Sequence, residues 1–167
     1  MKYAVVYQSE SGNTRAVAET IYQSIISEDK VICDIDTDST PPEADVYFIG
    51  FGIHNNNCSI DMVNYMEEIQ DAKYALFMTC GYTPSEKYKQ KLMKNLDIWL
   101  PEDSKLLGTY LCQGKVHDLQ KSVMVNKMPE RSQELQYMFE QGESHPDRQD
   151  LQDAAAFVSE IQVRAEN

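Results

Sequence analysis

Five short apolar segments, at residues 3–7, 31–35, 46–51, 74–79 and 106–112, punctuate the chain, and the first, third and fourth are almost continuously apolar rather than alternating. A strand that is apolar on both sides must be covered on both sides, which is the condition of a parallel sheet wrapped by helices. Helical patterns fill the intervals. A stripe of Val17, Ala18, Ile21 and Ile25 predicts a helix over 13–26, and Ser59 and Asp61 open one over 60–69. A third is expected over 84–99, with Thr83 as N-cap and Pro84 in the first turn. A last one, over 146–163, would bury Leu151, Ala154, Ala155, Phe157, Val158 and Ile161. Strand and helix therefore alternate, and the reading is a right-handed, doubly wound α/β sheet of five parallel strands with helices on both faces.

At 167 residues, with 42% hydrophobic and 25% charged positions, the chain fits one domain that buries about 70% of its unfolded surface. No linker or repeat divides it. Residues 113–145 are too long and polar to be a plain strand-to-helix connection, so they are read as an excursion over the surface near the strand C-termini, with a helix at 129–139. Lys and Arg number 15 against 27 Asp and Glu, a net charge of −12, which repels nucleic acid and anionic membranes. A monomer that docks transiently on basic protein surfaces is expected instead. Cys33, Cys58, Cys80 and Cys112 are scattered without C-x-x-C or nearby His, so reduced thiols and no metal site are expected, and His54, His117 and His145 read as structural. The N-terminus lacks the apolar run of a signal peptide or membrane span, so a cytoplasmic location is expected.

The most informative stretch follows the first strand. Ser9-Glu10-Ser11-Gly12-Asn13-Thr14 supplies three hydroxyls, a glycine and an Asn and opens directly on a helix N-terminus, which concentrates backbone N–H donors and the positive end of the helix dipole. That is an anion pocket. The lysine of G-x-x-x-x-G-K-[ST] and the spacing of G-x-G-x-x-G are both missing, so a single phosphate monoester held by neutral donors fits better than a nucleoside triphosphate or a dinucleotide.

Val5-Val6-Tyr7-x-Ser9-x-x-Gly12-x-Thr14-x-x-x-Ala18-x-x-Ile21 resembles the flavodoxin signature at every defined position. The resemblance implies the flavodoxin-like strand order 2-1-3-4-5 and FMN as cofactor, with its phosphate bonded by Ser9, Ser11, Asn13 and Thr14 and by the N–H groups of Glu10 and Gly12. It places the flavin ring between two further loops. One holds Gly52, Ile53, His54 and Asn55, where glycine and the Asn run accommodate φ > 0. In flavodoxins a peptide of this loop turns over when the flavin N5 is protonated, and Gly52 is the candidate; where the family usually has a large aromatic, this chain has Ile53 and His54. The other loop holds Thr79, Cys80 and Gly81, whose backbone would bond the pyrimidine edge, and Tyr82, the candidate to stack on the ring. Gln113 would lie beside it. The segments 108–115 and 144–147 are similar to a bacterial flavodoxin-like subgroup that includes the accessory protein of bilirubin reductase.

The resemblance implies an electron carrier shuttling between a reductase and an acceptor enzyme, with redox chemistry supplied by FMN and no catalytic side chain of its own. An FMN-dependent oxidoreductase using NAD(P)H on a quinone, nitro compound or tetrapyrrole is the alternative, if the excursion closes a pocket. A response receiver of similar fold is excluded by Gln8-Ser9-Glu10-Ser11, where receivers need adjacent carboxylates.

Overall fold

The computed structural model describes residues 1–100 and 103–167. Its centre is a five-stranded, all-parallel sheet of β1 (Tyr3–Tyr7), β2 (Lys30–Asp34), β3 (Val46–Gly52), β4 (Lys73–Cys80) and β5 (Lys105–Gln113) in the order β2-β1-β3-β4-β5. The order and direction are those expected. β1, β3 and β4 are buried almost throughout, because each lies inside the sheet with helices above and below.

Alternate residues of each strand feed two cores. Val5, Phe48, Ala75, Phe77 and Cys112 meet α1 (Asn13–Ser24) and α6 (Arg148–Glu166) on one face. Ala4, Val6, Ile49, Phe51, Leu76 and Met78 meet α2 (Ile60–Glu67) and the end of α3 (Glu86–Leu96) on the other. Gly50 is forced by this packing, since a Cβ there would sit 2.0 Å from the Phe77 ring.

Helix ends depart from expectation where side chains cap differently. Ser85, not Thr83, caps α3, its Oγ accepting from the Tyr88 N–H at 3.1 Å, and a short 3-10 turn at Asp97–Trp99 ends that segment. α6 starts at Arg148, because Asp147 accepts from the Gln149 and Asp150 N–H groups while the Asp150 carboxylate accepts from the Asp147 N–H. This reciprocal box fixes the first turn after Pro146. His145 belongs to the same cap, with Nδ1 against Asp150 Oδ2.

The excursion is helical. It contains α4 (Asp118–Lys127), a 3-10 turn at Pro129–Arg131 and α5 (Ser132–Gly142). α5 lies three residues beyond the expected span, and α4 was not expected at all. α4 fully buries none of its residues, and Val123, Met124 and Val125 are consecutive rather than helically spaced, so periodicity could not announce it. Val116, Leu135, Met138 and Phe139 form a small core of its own, against which Tyr82, Met124, Val125 and Met128 pack.

Candidate functional site

Where β1 ends, the chain turns through Gly12 at φ 88° into α1. A Cβ at Gly12 would meet nothing within 4 Å, so the glycine is required by backbone angle and not by space. Ser9 Oγ accepts from the N–H of Gly12 (3.1 Å) and of Arg15 (3.2 Å), which rounds the loop. The N–H groups of Glu10, Ser11, Asn13 and Thr14 have no protein partner among the described residues, the N-cap residue Gly12 has no side chain to offer them, and the first turn of α1 holds no acidic residue. Four free donors at the positive end of a 12-residue helix form an anion-binding cradle.

Two side chains of the loop brace it from below. Thr14 Oγ1 and Thr79 Oγ1 share a buried hydrogen bond of 2.8 Å, linking the starts of α1 and of the turn after β4. Asn13 Nδ2 donates to the Lys115 carbonyl at 2.9 Å. The chain after β5 passes so close that a Cβ at Gly114 would lie 2.5 Å from Asn13 Nδ2. Gln8, just before the loop, donates to Asp36 at 2.8 Å and accepts from the Ser59 hydroxyl, while Ser59 caps α2 by accepting from the Met62 N–H.

A pocket of about 80 Å³ opens here, lined by Glu10, Ser11, Asn13 and Thr14, by Gly52, Ile53 and His54, and by Thr79, Cys80 and Gly81. Three loops distant in sequence thus converge at the C-terminal edge of the sheet, at the point where the strand order reverses between β1 and β3. Gly114 and Lys115 line it too, and five further lining residues, Gln8, Ser59, Val116, His117 and Gln120, carried no signal in the sequence as site residues. They come from the end of β1, from a helix cap and from the excursion. His54 and His117 therefore border the pocket, whereas only His145 is confined to a structural cap.

The pocket adjoins a larger cleft of about 780 Å³ bounded by residues 53–56, residues 81–83, Tyr88 and Lys91 of α3, and Val123, Met124, Lys127, Met128 and Arg131. Asn55 and Tyr82 line this cleft rather than the smaller pocket. The Tyr82 ring is edge-on to Tyr88, centroids 5.7 Å apart, and packs on the small core of the excursion. Gln113 lines neither space. It is buried, and its Nε2 donates to the carbonyls of Gly81 (3.0 Å) and Met138 (3.3 Å), so it fixes the turn after β4 to α5.

Left-handed backbone in this loop falls on the Asn run and not on Gly52. Gly52 ends β3 in register with Thr79, and the following Ile53 N–H donates to the Thr79 carbonyl at 2.8 Å, so that peptide belongs to the sheet ladder and Gly52 does not take positive φ. Asn55 (φ 50°) and Asn56 (φ 60°) do, and His54 and Asn57 close a two-residue turn through reciprocal bonds of 2.9 and 3.0 Å. Gln120 Nε2 of α4 lies 3.3 Å from His54 Nδ1, tying this turn to the excursion.

All four cysteines are free; Cys33, Cys80 and Cys112 are buried and Cys58 half-buried. Burial pushes the Cys80 thiol up to about 12, so it stays protonated, and its S–H donates to the Tyr82 carbonyl at 3.2 Å. It holds the turn and is not a nucleophile. No helix among the described residues is long and apolar enough to cross a membrane.

Residues 4–159 match the model of the flavodoxin domain. The chain belongs to the flavodoxin family. Over 174 aligned residues it is 30% identical to the flavodoxin-like domain-containing protein BilS of Clostridioides difficile (strain CD3), covering 99% of this chain and 98% of that one. A BilS of Clostridium symbiosum (strain WAL-14163) is 26% identical over 132 residues, 70% of each chain. Among solved structures, the Streptococcus pneumonia TIGR4 flavodoxin superposes with a TM-score of 0.62 at 11% identity, covering 98% of this chain and 99% of that one. Oxidised flavodoxin 1 of Bacillus cereus gives 0.58 at 18% identity, with 98% of each chain covered. Membership of the flavodoxin family makes this a flavin-binding protein.

Proposed function

We propose that the flavin is FMN and that the protein is an electron carrier between a reductase and an acceptor enzyme. The observation that carries this reading is the loop from Glu10 to Thr14 at the start of α1, with four unpartnered N–H groups and no acidic residue in the helix's first turn, because a riboflavin without phosphate would leave those donors unused. Glu10, Ser11, Asn13 and Thr14 would hold the phosphate through backbone N–H groups and Ser11 also through its exposed hydroxyl. Ser9 and Gly12 would keep the loop round, and the Asn13 amide and Thr14 hydroxyl would brace it from beneath. Gly52, Ile53, His54 and Asn55 on one side and Thr79, Cys80, Gly81 and Tyr82 on the other would bound the ring, with Gln113 steadying the second loop. FMN, when bound, supplies reversible one- and two-electron chemistry.

The protein's own work is then to bind, orient and exclude water. The titratable side chains lining the larger cleft are His54, Tyr82, Tyr88, Lys91, Lys127 and Arg131, and no carboxylate is among the described residues that line it. The excursion does wall that cleft, and this favours the FMN-dependent oxidoreductase as a second reading, with a small apolar substrate entering beside α4.

Titration of the apo chain with FMN and with riboflavin tests the cofactor. FMN should bind at least a hundredfold tighter, and equal affinities would reject the phosphate site. NADPH added to the FMN-loaded protein alone tests the role: a carrier stays oxidised until a reductase is supplied, whereas immediate bleaching of the flavin would select the oxidoreductase.

A further inference from the structure

We propose that the mouth of the larger cleft is a docking face for an acidic surface of a redox partner protein, contrary to what the overall charge predicts. The proposal rests on the flavin reading above and adds the chemistry of the partner.

Charge along the chain is segregated. Residues 84–131 hold nine Lys and Arg against six Asp and Glu, net +3, while the remainder holds six against twenty-one, net −15. The fold gathers the positive segment at the cleft, since α3, α4 and the turn at Pro129–Arg131 form its outer walls. None of the lining residues is acidic, and Lys91, Lys127 and Arg131 are among them.

Most neighbouring carboxylates are already engaged. Glu86 pairs with Lys89, Asp118 with Lys121, Glu134 with Arg131, and Glu143 with Lys115 and Lys121; Glu130, beside Arg131, is in no such pair. Lys91 and Lys127, facing the cleft from opposite helices, lie in none of the ion pairs among the described residues, nor do Lys87 and Lys94 further along α3. α4 itself presents Val123, which lines the cleft, and Leu119 one turn before it, 43% and 79% exposed. An apolar centre with a charged rim is the anatomy of a protein-binding surface.

The long-range field of a −12 chain would repel an acidic partner, but at about 0.15 M salt the Debye length is roughly 8 Å, so groups across the contact outweigh those on the far side of the sheet. A partner presenting Asp and Glu around a small apolar patch would pair with Lys91, Lys127 and Lys87 over the edge of the flavin site. A basic partner would meet uncompensated cations there.

The test uses small charged oxidants as probes of the field at the reduced, FMN-loaded protein. Each fully reduced flavin gives two electrons to two ferricyanide ions, or to two hexaammineruthenium(III) ions, and its protons pass to solvent. Between about 0.1 and 0.5 M salt, where the Debye length is roughly 10 Å or less, the ferricyanide rate should fall with added salt and the ruthenium rate should rise. Lys91→Glu with Lys127→Glu should slow ferricyanide on the order of tenfold and reverse both slopes. A ferricyanide rate that rises with salt in the parent, or slopes unchanged in the variant, would overturn the proposal.

A second arm needs no flavin. Fluorescein-labelled decaglutamate should bind the apo chain at 0.15 M salt and lose binding in the double variant; preference for decalysine, or binding that ignores the substitutions, would overturn the acidic partner. If sedimentation shows salt-sensitive self-association abolished by the same variant, the face belongs to a second copy and the proposal falls. Failure of FMN to bind would reject the reading under Proposed function, while the decaglutamate arm would still decide this one.

Discussion

The two ends of the site are built from different materials. The cradle at the start of α1 is backbone: one contiguous segment of six residues, a glycine at positive φ, free N–H groups and no cation of its own. The larger cleft is side chain: residues drawn from the turn after β3, the turn after β4, α3, α4 and the 3-10 turn beyond it, with two lysines and an arginine where the smaller pocket has Lys115, which pairs with Glu143. Backbone donors are fixed by the fold and select a ligand by shape and charge, whereas exposed lysines act through a screened field that can be tuned residue by residue. The first kind of site should fail abruptly when altered and the second should shift by degrees.

The sharpest break is Ser11→Asp. A carboxylate about 4 Å from a phosphate costs on the order of 4 kcal/mol per pair of charges near a protein surface, equivalent to roughly a thousandfold in affinity. FMN binding, followed by quenching of flavin fluorescence, should fall by that order while riboflavin binding changes only severalfold. Equal losses for both would mean that the loop shapes the whole site and does not read the phosphate.

Next comes Gly114→Ala, at the joint between the cradle and the excursion. Its Cβ would lie 2.5 Å from Asn13 Nδ2 and 2.8 Å from Asn13 Cγ, so either the Asn13–Lys115 bond breaks or the strand end shifts. Overpacking of this kind costs about 1–3 kcal/mol. Urea unfolding should show that loss, and adding Asn13→Ala should return part of it; a strictly additive double variant would show that Asn13 is not the obstacle.

The same contrast explains what could be read in advance. The sheet, its order and the cradle depend on contiguous signals: continuous apolar runs and the pattern from Val5 to Ile21. The cleft depends on contacts between segments far apart in the chain. Tyr82 packing on Tyr88 and on the core under α5, Gln113 turned inward to the Gly81 and Met138 carbonyls, and Gln120 reaching His54 follow only once the excursion has folded back. The excursion itself hid α4, which buries no face and whose Val123, Met124 and Val125 are consecutive. Of the glycine and the Asn run expected to accommodate positive φ, Asn55 and Asn56 do so, since Asn tolerates the left-handed region and Gly52 is held in the ladder.

A third effect comes from two thiols, Cys80 in the smaller pocket and the half-buried Cys58 before α2. Burial raises Cys80 from 9.0 to about 12 and Cys58 to about 11. Both thiols are neutral in the folded chain at a pH where the unfolded chain has begun to ionise them, so stability is fully present below about pH 9 and is lost as the pH rises toward 11–12. At pH 10 the contribution lost from Cys80 alone should be on the order of 1.4 kcal/mol. Cys80→Ser, which removes the titration, should flatten the decline measured by urea unfolding at pH 7–10. A decline of the same steepness in the variant would place the alkaline loss elsewhere.

The smallest expected effect separates local from overall charge. An acidic chain opposes adding negative charge to a bound flavin, and from composition alone every lost lysine should lower the reduction potential alike. The cleft predicts otherwise. Lys91 and Lys127 face it, whereas Lys2 precedes β1 at the opposite end of the sheet, so removing the first two should matter and removing the third should not. Lys91→Gln with Lys127→Gln should make the two-electron couple more negative by roughly 30 mV, the equivalent of about 1.4 kcal/mol. Because both ammonium groups are exposed, that shift should shrink as salt rises from about 0.1 to 1 M, while Lys2→Gln stays at the parent value throughout. Equal shifts in the two variants would return control of the potential to net charge. No shift in either would mean that the lysines act on partners alone, leaving the backbone and aromatic walls to set the potential.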